Sequence, residues 1–203
     1  MIEFKCLRCG DCCHAKYVEN RIGYIPIFLD EIDRIIELAK KSNKKVIIKP
    51  DFVYADKLNK QLIIATYEMV VDQQCIFYQD GCSIYDERPI ICRAFPIMTF
   101  RIDSFRKLLH INNGCRFVMQ NPELYNYKFS ELIKIFPTEY QYAKELMNKT
   151  KDIIFKILQL ETDGIIDIGF LENNMHLFGL DVKDMHDEKF KNWKLVRLSQ
   201  LKI

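Results

Sequence analysis

The sequence predicts an α+β chain: a small, irregular, cysteine-rich α/β region at the N-terminus, followed by a helical C-terminal region. Three observations lead there. All eight cysteines fall before residue 116. Short β-branched runs lie between residues 45 and 102. From about residue 128 onward, apolar residues recur at helical spacing. At 203 residues, 49% hydrophobic and 29% charged, the chain can bury a real core and has room for one domain with an appended subdomain.

The elements follow in order. A loop over about residues 5–14 carries half of the cysteines and leads into Tyr24-Ile25-Pro26-Ile27-Phe28-Leu29. Asp30 reads as the cap of a helix with Ile32, Ile35, Ile36 and Ala39 on one face. Glu31 and Asp33 suit its first turn, and Lys40 and Lys41 its last. Residues 45–49 and 61–71 read as strands. Cys75–Tyr78, Asp80-Gly81 and Cys82–Tyr85 read as a hairpin whose Asp-Gly turn accepts φ > 0 and brings Cys75 near Cys82. Pro89 and Pro96 frame a short turn around Cys92. A strand follows over residues 97–102, and Cys115 comes after the turn signal Asn112-Asn113-Gly114. Phe129, Leu132, Ile133 and Phe136 form a short helical stripe that ends at Pro137-Thr138. A long helix then runs to about Leu160, and a further helix is expected over about 186–201, carrying Trp193 as a packing residue.

The cysteines are Cys6, Cys9, Cys12, Cys13, Cys75, Cys82, Cys92 and Cys115. Core fillers would be spread more evenly, so these thiols have a common task. The first residues show no basic-then-apolar signal region, which points to the cytoplasm and argues against a disulfide framework. Metal ligation takes its place. A zinc knuckle supplies one C-x2-C pair; a third cysteine at the same interval, Cys6-x2-Cys9-x2-Cys12, fits three corners of an iron–sulfur cube, with a distant cysteine as the fourth. Cys13 adjoins Cys12, and neighbours in an extended chain point opposite ways. The two are therefore expected to serve different metal atoms, or Cys13 to be a redox thiol. Eight thiolates exceed the four of one structural zinc site. The cysteines should converge, with Cys92 close to the loop of Cys6, Cys9 and Cys12. The expected division is a cysteine-cluster metal-binding domain over 1–120 and a helical subdomain packed on it over 121–203.

Two stretches resemble a known family. Cys6-Leu-Arg-Cys9-Gly10-Asp-Cys12-Cys13 resembles its CxxCGxCC signature, and Cys82-Ser-Ile84-Tyr85-Asp-Glu-Arg88-Pro89-Ile-Ile-Cys92-Arg93-Ala-Phe95-Pro96 resembles its CxIYxxRPxxCRxFP signature. The family is the YkgJ-type cysteine-cluster family of zinc- or iron-chelating domains. The flagellin lysine N-methylases carry a similar cysteine arrangement. The resemblance covers roughly residues 4–117. It implies metal or iron–sulfur binding through the cysteines, with Cys75 and Cys115 at the family's additional positions.

The cofactor expected is an iron–sulfur cluster, 4Fe–4S or larger, with zinc as the alternative. Arg88 and Arg93 flank Cys92 and are candidates to balance the negative charge of a thiolate-bound centre, Arg93 more so because it adjoins a ligand. His14 is a minor candidate ligand; His110, His176 and His186 read as core or surface residues. Three functions compete: redox or cluster chemistry at a polynuclear iron–sulfur centre, a zinc-stabilised interaction module, and a modifying enzyme similar to the lysine methylases. A net charge of +2 excludes a general nucleic-acid binder. No stretch approaches a membrane span. The helical C-terminal region is the candidate face for a protein partner. No GxGxxG, P-loop, CxxxCxxC or HxE…PCxxC pattern marks another cofactor site.

Overall fold

A computed structural model describes residues 2–14, 22–101, 107–166 and 188–201. The fold is α+β. His176 and His186 lie outside the described residues, as does part of the helix expected over 186–201.

The chain divides into two units. The first combines residues 1–47 and 69–147, and the second residues 48–68 and 148–203. In the first unit, strand β1 (Ile22–Ile27) neighbours β5 (Tyr67–Asp72), whose first two residues belong to the second unit. Helix α1 (Ile32–Lys41) buries Ile32, Ile35, Leu38 and Ala39, the stripe its spacing predicts. The cap falls to Glu31 rather than Asp30, because a 3-10 turn over Leu29–Glu31 precedes the helix and moves its start by one residue. Helix α2 (Ile90–Ala94) is the short turn framed by Pro89 and Pro96. Strands β6 (Ile97–Arg101) and β7 (Lys107–Ile111) pair antiparallel. Helices α3 (Arg116–Gln120) and α4 (Phe129–Ile135) follow. Pro137 then opens α5 (Pro137–Thr162), which begins in the first unit and continues into the second.

The second unit opens with β2 (Ile48–Pro50) and is built on β3 (Val53–Asp56) and β4 (Gln61–Ile64), paired antiparallel, with β8 (Lys194–Arg197) parallel to β4. Alternation along β4 sends Ile63 into one apolar cluster with Tyr54, Ile157, Leu160 and Leu198. It sends Leu62 and Ile64 into another with Val53 and Phe190. The helix expected near the C-terminus is instead β8 between two 3-10 turns (Glu188–Phe190 and Leu198–Gln200). Apolar residues at 190, 193 and 196 suit a helix, yet pairing with β4 overrides local preference. Trp193 packs against Phe190, with ring centroids 4.8 Å apart. Among the described residues, no helix is long and apolar enough to cross a membrane.

Asp56 is fully buried in this unit. It accepts hydrogen bonds from the Asn59 N–H (3.0 Å), Asn59 Nδ2 (2.7 Å) and Gln61 Nε2 (2.7 Å). Burial pushes its carboxyl pKa up, but these donors outweigh it and hold the pKa below the usual value. Its stabilisation is therefore present above the unfolded pKa of about 3.9 and is lost as pH falls through the lower folded value. Asp56→Ala should cost about 1–3 kcal/mol at neutral pH, since it leaves buried donors unpaired. The gap between the two proteins should narrow in strong acid. Urea unfolding at neutral and acid pH measures both, and a gap independent of pH would show that the carboxylate charge is not its source.

Candidate metal centre

The N-terminal run begins at an anchor. Phe4 packs its ring against Phe117 (centroids 5.1 Å apart) and Phe136 (4.8 Å), and its N–H donates to the Ile135 carbonyl at 3.3 Å. Two residues on, Cys6 enters the loop. Arg8 takes φ 51° and Gly10 φ 77°, so the chain curls back on itself between Cys6 and Cys12. Gly10 is required for two reasons. Its φ is unfavourable for other residues, and a Cβ there would collide with the Tyr78 ring. The Tyr78 hydroxyl donates to the Cys9 carbonyl at 3.4 Å.

Asp11–Cys13 form a 3-10 turn, closed by the Cys13 N–H on the Gly10 carbonyl at 2.7 Å. This corrects the expectation that Cys12 and Cys13 diverge, which assumed an extended chain. On the turn their sulfurs lie 3.9 Å apart. Two sulfurs on one tetrahedral ion, each at about 2.3 Å, are separated by about 3.8 Å. The adjacent pair is thus placed to share one ion.

The other cysteines arrive from three segments. The Cys75 N–H donates to the Cys13 carbonyl at 2.7 Å, joining the second segment directly to the first. The expected hairpin is a chain of tight turns with a single bridge between Tyr78 and Cys82, because the Ser83 N–H and hydroxyl both fold back onto the Phe77 carbonyl. Asp80 and Gly81 do take positive φ, 49° and 137°. Cys92 lies in α2, whose position depends on a buried carboxylate. Glu31 accepts from the Phe28 N–H at 3.2 Å and from the Ile90 N–H, at the start of α2, at 2.8 Å. Arg34 pairs with Glu31 at 3.2 Å and donates to the Glu87 carbonyl. Cys115 caps α3, and its neighbour Arg116 grips Asp11 through two bonds, Nε–Oδ2 2.8 Å and Nη2–Oδ1 2.9 Å.

All eight cysteines line one cavity of about 230 Å³. Phe4, Phe77, Ile84, Phe95 and Met98 supply apolar wall; the charged residues there are Arg8, Asp11, Arg88, Arg116 and Glu139. Arg88 is centrally used. Its Nε donates to the Tyr85 carbonyl at 2.7 Å and its Nη1 to the Cys92 carbonyl at 3.2 Å, and its guanidinium lies 3.8 Å from the Tyr85 ring centre. Its charge favours thiolates at Cys12, Cys82 and Cys92. Arg93 does not line the cavity; it donates to the Arg88 carbonyl at 2.7 Å and lies 5.3 Å from the Tyr142 ring centre. His14 is also outside the lining, 3.3 Å from Gln74 Nε2 and edge-on to Tyr78. His110 is exposed on β7.

The thiols hinder one another's ionisation. Burial raises the pKa of Cys75, Cys82, Cys92 and Cys115, and a charge on Cys12 raises each further. The hydrogen bond between the Cys12 and Cys13 sulfurs draws the Cys12 pKa down to about 7 and pushes that of Cys13 far up. A bound cation would relieve this mutual repulsion at every thiolate it touches. Eight sulfur donors around a largely apolar cavity fit zinc or iron. Among the described residues, no three His, Cys, Asp or Glu side chains already converge on one point as ligands of a single ion.

The family model of a zinc- or iron-chelating domain, CxxCxxCC, matches residues 5–152. The chain belongs to the CxxCxxCC family. The matched span reaches beyond the 4–117 that the two motifs mark, into α5. No curated protein and no solved structure matches the chain. As a CxxCxxCC domain the protein is a metal-binding protein.

Sequence reasoning missed Glu31 and Glu139. Glu31 reads as an ordinary first-turn acid, and Glu139 belongs to no motif. Each is nevertheless buried, at 5% and 8% exposure.

Two outcomes follow for the metal-free, reduced protein. Cys12 should alkylate first, at a rate that climbs through about pH 7 as its thiolate forms, and Cys92 last. Mass mapping of iodoacetamide adducts against pH reads the order. Gly10→Ala should cost at least about 1–2 kcal/mol from its left-handed φ alone, and more from the Tyr78 contact. Adding Tyr78→Ala should recover only the second part in thermal unfolding.

Proposed function

We propose that the eight cysteines hold a polynuclear iron–sulfur centre and that this CxxCxxCC domain works in redox or cluster chemistry. The observation that carries the reading is that all eight thiols line a single cavity. One structural zinc site closes with four ligands, which would leave half of these thiols without a task. A centre of several metal atoms uses them. Such a centre, when bound, supplies one-electron chemistry.

The protein's own residues have separate parts in this. Cys6, Cys9, Cys12 and Cys13 form one wall on a loop held by Phe4 and Asp11. Cys75 and Cys82 form a second on consecutive turns, and Cys92 and Cys115 complete the ring. Arg88 places a fixed positive charge beside thiols that carry negative charge. Phe77, Phe95 and Met98 give the cavity apolar wall, which lowers the local dielectric and strengthens Arg88's effect.

A zinc-stabilised module is the second reading. It is favoured by the 3.9 Å spacing of the Cys12 and Cys13 sulfurs, which suits one tetrahedral ion.

Anaerobic purification followed by metal and acid-labile sulfide analysis separates the two. The expected result is a coloured protein with more than one iron per chain and sulfide present. A colourless protein with one zinc and no sulfide would overturn the iron–sulfur reading. Cys92→Ser should lose metal and stability together, because metal binding and folding are coupled. Metal content and thermal unfolding of that variant provide the check.

A further inference from the structure

Two carboxylates line the cysteine cavity, Asp11 and Glu139, and their surroundings differ. Asp11 is gripped from outside by Arg116 through two hydrogen bonds. Glu139 stands in the first turn of α5 and is 8% exposed. The groups that favour its charge are its own backbone N–H and the guanidinium of Arg88. That guanidinium is already committed to the carbonyls of Tyr85 and Cys92. Among the described residues, no side chain donates a hydrogen bond to Glu139. Burial accordingly pushes its carboxyl pKa up.

A carboxylate withdrawn from water is costly unless a cation or a set of donors faces it. Glu139 lines the same cavity as the eight thiols. Glu139 lies outside both cysteine motifs, and its place in the first turn of α5 suits the helix dipole but does not require burial. The family match nonetheless extends through residue 152 and takes it in.

We infer that Glu139 is an oxygen donor to the metal centre, so that the cavity offers a mixed sulfur–oxygen ligand set rather than thiols alone. This rests on the reading that the cavity holds a metal. Zinc and iron accept both carboxylate and thiolate, whereas a purely soft ion would leave Glu139 aside. Arg88, next to both kinds of donor, would then orient the carboxylate as well as balance the thiolates.

The test uses the full-length protein purified anaerobically, with Glu139→Gln and Glu139→Asp. X-ray absorption at the edge of the bound metal reads the ligand shells, and competition with an excess chelator reads the release rate. In the unaltered protein an oxygen shell at about 2.0–2.2 Å should accompany the sulfur shell at about 2.3 Å. Glu139→Gln should lose that shell and release metal at least about tenfold faster, with Glu139→Asp between them. A sulfur-only spectrum in the unaltered protein overturns the inference. So does a Glu139→Gln protein with unchanged shells and release rate, which would make Glu139 a partner of Arg88 alone. Should Glu139→Gln fail to fold, the unaltered spectrum and Glu139→Asp still decide. Zinc in place of iron and sulfide would sink the iron–sulfur proposal while leaving Glu139 to be judged at the zinc edge by the same two readouts.

Discussion

Eight thiols around one cavity cannot all become thiolates by themselves, and much of the first unit is arranged around that constraint. Each charge placed there raises the cost of the next. Cys12 is the focus, since its ionisation bears on Cys13, Cys75, Cys82, Cys92 and Cys115. Arg88 offsets part of the repulsion, but one guanidinium cannot match so many sulfurs. A cation among these sulfurs would offset the repulsion that Arg88 leaves uncompensated.

Holding such groups together requires bonds that do not depend on the metal. The structure uses backbone and carboxylate contacts for this. The Cys75 N–H on the Cys13 carbonyl joins two ligand segments by main chain alone. Glu31 fixes the start of α2, and with it Cys92, by accepting the Ile90 N–H. Tyr78 lies across Gly10, and Phe4 wedges between Phe117 and Phe136. None of these groups is a cysteine side chain, yet together they set where the cysteines stand.

The convergence of the cysteines was legible in the sequence because spacing and clustering carry it. α1, α4 and α5 were legible for a similar reason: each repeats apolar residues along one face. What was not legible depends on partners far away in the chain. The strand Lys194–Arg197 carries a helix-like pattern, and only its parallel pairing with Gln61–Ile64 makes it a strand. Adjacent Cys12 and Cys13 look divergent until the 3-10 turn is known. Arg93 adjoins Cys92 in sequence, but it is Arg88, just before α2 begins, that reaches the cavity. Glu139 gave no signal because a single glutamate at the start of a helix is ordinary; only its burial in the wall of the cavity distinguishes it.

The grip of Arg116 on Asp11 joins residues 105 positions apart and has a consequence for the birth of the protein. Synthesis runs from the N-terminus, so the four cysteines of the first loop leave the ribosome well before Cys75, Cys82, Cys92 and Cys115. Through that interval the loop has neither its clasp nor the rest of its ring, and long-range contacts of this kind form late. The early thiols are then open to stray metals and oxidants. Those four thiols therefore spend longer in contact with solvent than the four that follow them in the chain.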